Sequence, residues 1–329
     1  MFAVVSLDFD STISPFGLTV RLETLALAGV VFLMILAAAI GAGRMPAKEP
    51  EDDADGETRM PRLRRDDLLL IAFGAVPGAV AGARIDYGLL HYDYFSKDWH
   101  RLLDPGQGGL ALTLAVVLGT VTAVMVAALL SAPISRWLHV ATIPLLLGLG
   151  LGKLAMVLGA DGQGKFDTGS WTLVFTGSGP WQSANAGVAA IASQVIEGLL
   201  VLAAALALMV IPFLLRLRVR RWRRFVRPGY APATAWGMLT GARRFFTAIC
   251  LWAAIRLGVA FTWRDAAVLG PLNAEQLILA SVIVLFAALD LLAWLLAAYR
   301  RHKEARAKAV KAKAEELPEP RFGSTLQRG

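Results

Sequence analysis

The chain has 329 residues, 56% of them hydrophobic, and a mean hydropathy of +0.57. A soluble domain cannot hide that much apolar surface, whereas a bilayer can, because lipid is itself apolar. The formal net charge is +8, but the basic residues flank apolar runs, where they act as topology signals and contacts for anionic lipid; this argues against nucleic acid as a partner.

A helix needs about 20 apolar residues to cross the hydrocarbon core. In chain order the predicted spans are 25–42, 68–90, 109–130, 140–160, 187–215, 233–261 and 274–299. The fold class is therefore an all-α integral membrane protein with about seven transmembrane helices. Before the first span lie Asp8 and Asp10, with no Lys or Arg ahead of Arg21. That is unlike a secretory leader, so the first helix is expected to stay attached. The sixth span holds Arg243 and Arg244 and is expected to begin as an interfacial helix.

Lysine and arginine alternate between the two sides as the positive-inside rule requires. Arg44, Lys48, Arg59, Arg62, Arg64 and Arg65 follow the first span, Arg136 follows the third, and a run from Arg216 to Arg227 follows the fifth. The tail after the seventh span is rich in Lys and Arg. The opposite side holds far fewer, mainly Arg21, Lys97, Arg101, Lys165 and Arg264. The N-terminus is thus predicted outside and the C-terminus in the cytoplasm. A transmembrane domain of residues 1–299 carries cytoplasmic loops at 43–67 and 216–232 and an extracytoplasmic loop at 161–186. Residues 300–329 form a basic cytoplasmic tail, read as a continuation of the last helix that ends before Pro318 and Pro320.

Some features are decoys. Gly74, Gly78 and Gly82 recur every four residues in the second span, a spacing read as close helix packing. The run Gly148-Leu149-Gly150-Leu151-Gly152-Lys153 superficially suggests a phosphate loop, but it lies inside an apolar span rather than between a strand and a helix. Cys250 stands alone, so no internal disulfide forms. The four histidines are scattered, and no metal or cofactor is expected.

An ionisable residue inside a span is costly and is by default a functional hypothesis. Arg84, Asp86, Lys153, Glu197, Arg256 and Asp290 qualify. By helical rise, Arg84, Lys153, Glu197 and Arg256 fall in the outer half of the bilayer, while Asp290 falls in the cytoplasmic half. The first four are expected to share one polar cavity open to the outer leaflet. Ser193, Gln194 and Glu197 form a polar stripe on one helix face. Cations near the outer leaflet suit an anionic phospholipid headgroup, since guanidinium pairs well with phosphate. From the residues alone, the site belongs either to an enzyme or to a transporter.

The order of several short motifs resembles the prolipoprotein diacylglyceryl transferases. Ser14-Pro15-Phe16 through Val20-Arg21 looks like that family's opening, and Gly82-Ala83-Arg84-Ile85-Asp86-Tyr87 like its Gly-Ala-Arg-Leu-Gly-Tyr. Gln107-Gly108-Gly109-Leu110-Ala111 is similar to its Gln-Gly-Gly-Met-Ser. Gly152-Lys153-Leu154-Ala155 falls where the family has Gly-Arg-Ile-Gly. Ser193-Gln194-Val195-Ile196-Glu197 matches Ser-Gln-Leu-Tyr-Glu, and Glu275-Gln276-Leu277 resembles Gly-Gln-Leu.

The resemblance implies a multi-pass protein of the bacterial plasma (inner) membrane. It implies transfer of a diacylglyceryl group from phosphatidylglycerol, or another anionic phospholipid, to the lipobox cysteine of a secreted preprotein. Lys153, Arg256 and Asp161 are then the implied catalytic residues, and Arg84, Gln194, Glu197 and Arg264 the implied substrate-binding residues. The chain departs from the family pattern at several positions. Glu23 stands at a tyrosine position, Thr113 at a histidine, Lys153 at an arginine and Met156 at an asparagine. Arg264 lies one residue out of register. Two alternatives follow: an inactive relative that binds anionic phospholipid or preprotein, and, ranked last for want of internal symmetry, a small-molecule transporter.

Overall fold

The structure is a computed structural model that describes residues 4–45, 63–104, 109–169, 171–177, 186–222 and 241–315. Most of the predicted 43–67 loop, Gln107 and Gly108, part of the 161–186 loop, the later part of the 216–232 loop, the start of the predicted sixth span and the tail beyond 315 lie outside the described residues.

Eight α-helices occur among the described residues: α1 (Leu22–Arg44), α2 (Arg65–Leu90), α3 (Tyr92–Phe95), α4 (Thr113–Leu129), α5 (Ile134–Ala155), α6 (Ser193–Trp222), α7 (Gly241–Val259) and α8 (Ala274–Glu315). All but α3 and α4 are long and apolar enough to cross a membrane. The 17 residues of α4 form a shorter apolar helix. The chain is an integral membrane protein. Side chains such as Phe32, Phe73, Met125, Leu206 and Phe213 are exposed, as lipid-facing residues should be.

Several boundaries differ from the hydropathy reading. Helix α5 starts at Ile134, six residues ahead of the predicted 140, because Pro133 supplies its first acceptor, taken by the Trp137 amide at 3.1 Å. Ser135, Arg136 and His139 are polar, so an apolar window skips a turn that is fully helical. Arg136 therefore lies in α5 rather than in the preceding loop. Helix α6 starts at Ser193 rather than 187, because residues 190–191 belong to a strand.

The fold is also not purely helical. Strands β1 (Val5–Leu7), β2 (Thr12–Ile13), β3 (Val20–Arg21), β4 (Thr172–Phe175), β5 (Ala190–Ile191), β6 (Ala267–Leu269) and β7 (Leu272–Asn273) lie outside the spans. A small sheet has the order β1-β4-β5, with β1 parallel and β5 antiparallel to β4. Val5 sits opposite Leu173, and Leu173 opposite Ala190. Hairpins β2–β3 and β6–β7 lead into α1 and α8. Each strand is too short to carry a readable alternation of apolar and polar residues.

The chain divides into two units, Met1–Ala287 and Ala288–Gly329. In the first, Leu146, Leu149, Val201, Ile249, Trp252 and Leu279 form a buried apolar core from α5, α6, α7 and α8. The glycine stripe of α2 packs against α4: a methyl group at Gly82 would strike the Leu114 carbonyl, and one at Gly78 the Leu118 carbonyl. Gly150 of α5 and Gly198 of α6 meet in the same way, since a Cβ at Gly198 would lie 2.9 Å from the Gly150 oxygen. The decoy glycine run of α5 is thus a helix-packing surface. The second unit consists of the later part of α8, with exposed Leu291, Trp294, Leu295 and Tyr299, and it carries Asp290.

Candidate functional site

The close approach of Gly150 and Gly198 sets the site. Lys153, about one turn after Gly150 on α5, faces Glu197, which immediately precedes Gly198 on α6, with Nζ 3.3 Å from Glu197 Oε2. On α7, Arg256 donates from Nη1 to Glu197 Oε1 at 2.7 Å and from Nε to Glu275 Oε1 at 2.7 Å. Glu275 occupies the first turn of α8. Thr113, the first residue of α4, donates its hydroxyl to the same Glu275 oxygen at 3.0 Å. Four helices therefore each contribute one charge, and a fifth closes the cluster with a hydroxyl.

Glu197 is only 1% exposed, and Thr113, Arg256 and Glu275 are also buried. Two cations and two carboxylates balance, which is what permits four ionised groups in an apolar bundle. The Trp263 ring covers both cations, 4.7 Å from the Arg256 guanidinium carbon and 5.7 Å from Lys153 Nζ. Such contacts stabilise cations without adding a counter-charge. Buried Asp86 of α2 accepts the Leu114 amide at 3.0 Å and so caps α4 where Thr113 begins.

The structure brings Lys153, Glu197 and Arg256 together. Gln194 lies one turn of α6 before Glu197 and is buried. The expectation that Arg84 shares the cavity needs correction. Its guanidinium donates to the carbonyls of Leu102 (2.6 Å), Asp104 (2.6 Å), Arg101 (3.1 Å) and Gly109 (3.1 Å). Depth and charge matched the other three, but a loop whose carbonyls need donors takes up this side chain. Arg264 donates to the Gly164 carbonyl at 2.7 Å and stacks 4.1 Å over Phe166. It thereby fastens the segment that follows α5. Sequence reasoning did not assign Glu275 or Trp263 to the site.

Asp161 falls in a separate polar group. Arg21 Nη2 lies 3.4 Å from Glu23 Oε2 and 3.9 Å from Asp161 Oδ2. Burial lifts the Asp161 carboxyl above its ordinary range, opposed by the Arg21 charge and a hydrogen bond with Glu23. The folded protein holds this proton more tightly than the unfolded chain does. Its contribution to stability therefore falls as pH rises from the ordinary aspartate value through the raised folded value. The wild-type melting temperature should climb as pH is lowered through that window, and Asp161→Asn should flatten the climb. Equal slopes for the two proteins would show that Asp161 does not titrate this way.

A bundle of apolar helices around a buried, charge-balanced cluster defines a multi-span membrane protein with a polar site near one end of its helices. Over residues 24–294 the chain matches the prolipoprotein diacylglyceryl transferase family, and it belongs to that family. It is similar to a phosphatidylglycerol–prolipoprotein diacylglyceryl transferase of Finegoldia magna, with 23% identity over 119 residues. That match covers 36% of this chain and about half, 48%, of the relative.

Proposed function

We propose that the protein transfers a diacylglyceryl group from phosphatidylglycerol to the lipobox cysteine of a secreted preprotein, at the outer face of a bacterial plasma membrane. The observation that carries this reading is the Lys153–Glu197–Arg256–Glu275 cluster in the end of the bundle predicted to face outward. In the reaction a new carbon–sulfur bond forms, the carbon–oxygen bond to phosphate breaks, and glycerol phosphate leaves with the bonding electrons. The thiol passes its proton to a base as the sulfur attacks. Negative charge grows on the departing phosphate, and Lys153 and Arg256 are the cations placed to meet it. Glu197 and Glu275 hold both cations in position beforehand. Asp161, in its half-buried group with Arg21 and Glu23, is the candidate for proton handling.

A second reading has its own observation. Both cations are already neutralised by carboxylates, and Thr113 faces the cluster where the family resemblance places a histidine. A relative that binds phospholipid or preprotein without transfer would look like this.

The deciding experiment gives the purified full chain, in vesicles, labelled phosphatidylglycerol and a lipobox peptide. Thioether product is expected, with rates about 10²–10³-fold lower in Lys153→Ala and Arg256→Ala, the scale for losing one transition-state donor. Undiminished transfer in both variants would sink the site assignment. Lipid retention without product from the wild type would favour the non-catalytic relative.

A further inference from the structure

Two carboxamides lie beside the cluster, and the transfer step requires neither of them. Gln194 is 1% exposed and Gln163 is 6% exposed. The Oε1 and Nε2 atoms of both are buried, and none has a hydrogen-bond partner among the described residues. Burying an amide without a partner is costly, so two together call for something to bond to.

The backbone explains why they are neighbours. Gly162 is in the left-handed region, φ 74°, and a Cβ there would lie 3.4 Å from Gln194 Cβ. The Gly164 amide donates to the Ile191 carbonyl at 2.8 Å, and the Lys165 amide to the Thr262 carbonyl at 2.8 Å. Ser193 and Thr262 join their hydroxyls at 2.6 Å. Residues 162–164 are therefore laid over the first turn of α6 and fastened on both sides. The groups that do the fastening are satisfied, whereas the two carboxamides are not.

Position defines what they would read. Gln194 precedes Glu197 by one turn, and Thr262 immediately precedes Trp263, which covers Lys153 and Arg256. A ligand whose phosphate meets those cations would present its next group to the carboxamides. A cation there would find no free counter-charge, since both carboxylates of the cluster are already engaged by Lys153 and Arg256. The group also should donate and accept at once, because each carboxamide has one acceptor and two donors. A vicinal diol does both; an ammonium only donates and would leave each Nε2 unpaired.

We propose that Gln163 and Gln194 form an uncharged subsite for the diol of a glycerol phosphate headgroup, selecting it over ammonium headgroups. This rests on the transferase reading for the phosphate's place and adds the residues that choose the headgroup. The diol chemistry is shared by the lipid and by free glycerol phosphate, which the test separates.

The full chain in nanodiscs is offered phosphatidylglycerol, phosphatidylethanolamine and phosphatidylpropanol, and lipid retention is read by native mass spectrometry. Wild type should retain phosphatidylglycerol at least about tenfold better than the other two, as a site built for a hydroxyl should. Gln163→Met and Gln194→Met should erase that preference while still favouring phosphatidylglycerol over uncharged diacylglycerol through Lys153 and Arg256. Both variants should melt no lower than wild type in lipid-free detergent, because each removes an unpaired buried amide; that keeps misfolding from imitating the result. Free glycerol phosphate should compete with the lipid in wild type only.

An unchanged preference in both variants would mean the carboxamides bond water alone and would overturn the proposal, as would a wild type without preference. The two ideas fail separately. Headgroup preference without thioether product sinks the transfer reading and leaves the subsite standing. Thioether product with an unaltered preference in the variants sinks the subsite alone.

Discussion

Replacing Glu197 by glutamine should destabilise the folded protein by about 3–5 kcal/mol, the range for removing one partner from a buried ion pair. Glu197 uses one oxygen for Arg256 and the other for Lys153. With an amide in its place, buried Arg256 and the largely covered Lys153 would share the single carboxylate of Glu275. Arg256 cannot reach bulk water without unpacking α7. Adding Lys153→Met to Glu197→Gln should restore part of the loss, because Arg256 and Glu275 then balance by themselves. Chemical unfolding in detergent of the wild type, both single variants and the double variant gives the coupling directly. A double variant that loses the full sum of the two singles would show that Lys153 and Glu197 do not act as a pair. Transfer should be lost in every variant of the cycle, since Lys153 is either removed or left misplaced.

The spans were legible because a bilayer tolerates few alternatives to an uninterrupted apolar helix. The errors lie where hydropathy and backbone structure part company. Residues 187–191 are as apolar as the helix that follows, yet 190–191 pair with β4. Ser135, Arg136 and His139 are polar, yet helical. Lys153, Glu197 and Arg256 stood out because charge inside a span is rare. Glu275 was hidden by its position: an acidic residue in a first helical turn is ordinary, since it complements the helix dipole. Arg84 misled because depth can be counted along a helix, whereas the direction of a side chain cannot be read that way. Gln163 left no signal in the sequence, because an uncharged loop residue becomes informative only once its burial is known.

Arg256 carries the second large expectation, and it separates charge from shape. Its guanidinium uses Nε for Glu275 on α8 and Nη1 for Glu197 on α6, so one planar group ties α7 to two neighbours. Arg256→Ala should cost about 3–5 kcal/mol, because two buried carboxylates would keep only Lys153 between them. Arg256→Lys retains the charge and loses the fork. One ammonium should hold either Glu197 or Glu275 well, so stability should fall between alanine and wild type. Transfer should nonetheless drop almost as far as in the alanine variant, since a shifted cation no longer lies where the phosphate departs. Melting temperature and thioether yield, measured on the same preparations, would expose this split. An Arg256→Lys protein that matches wild type in both would show that positive charge alone suffices and that the two-sided grip on Glu197 and Glu275 is dispensable.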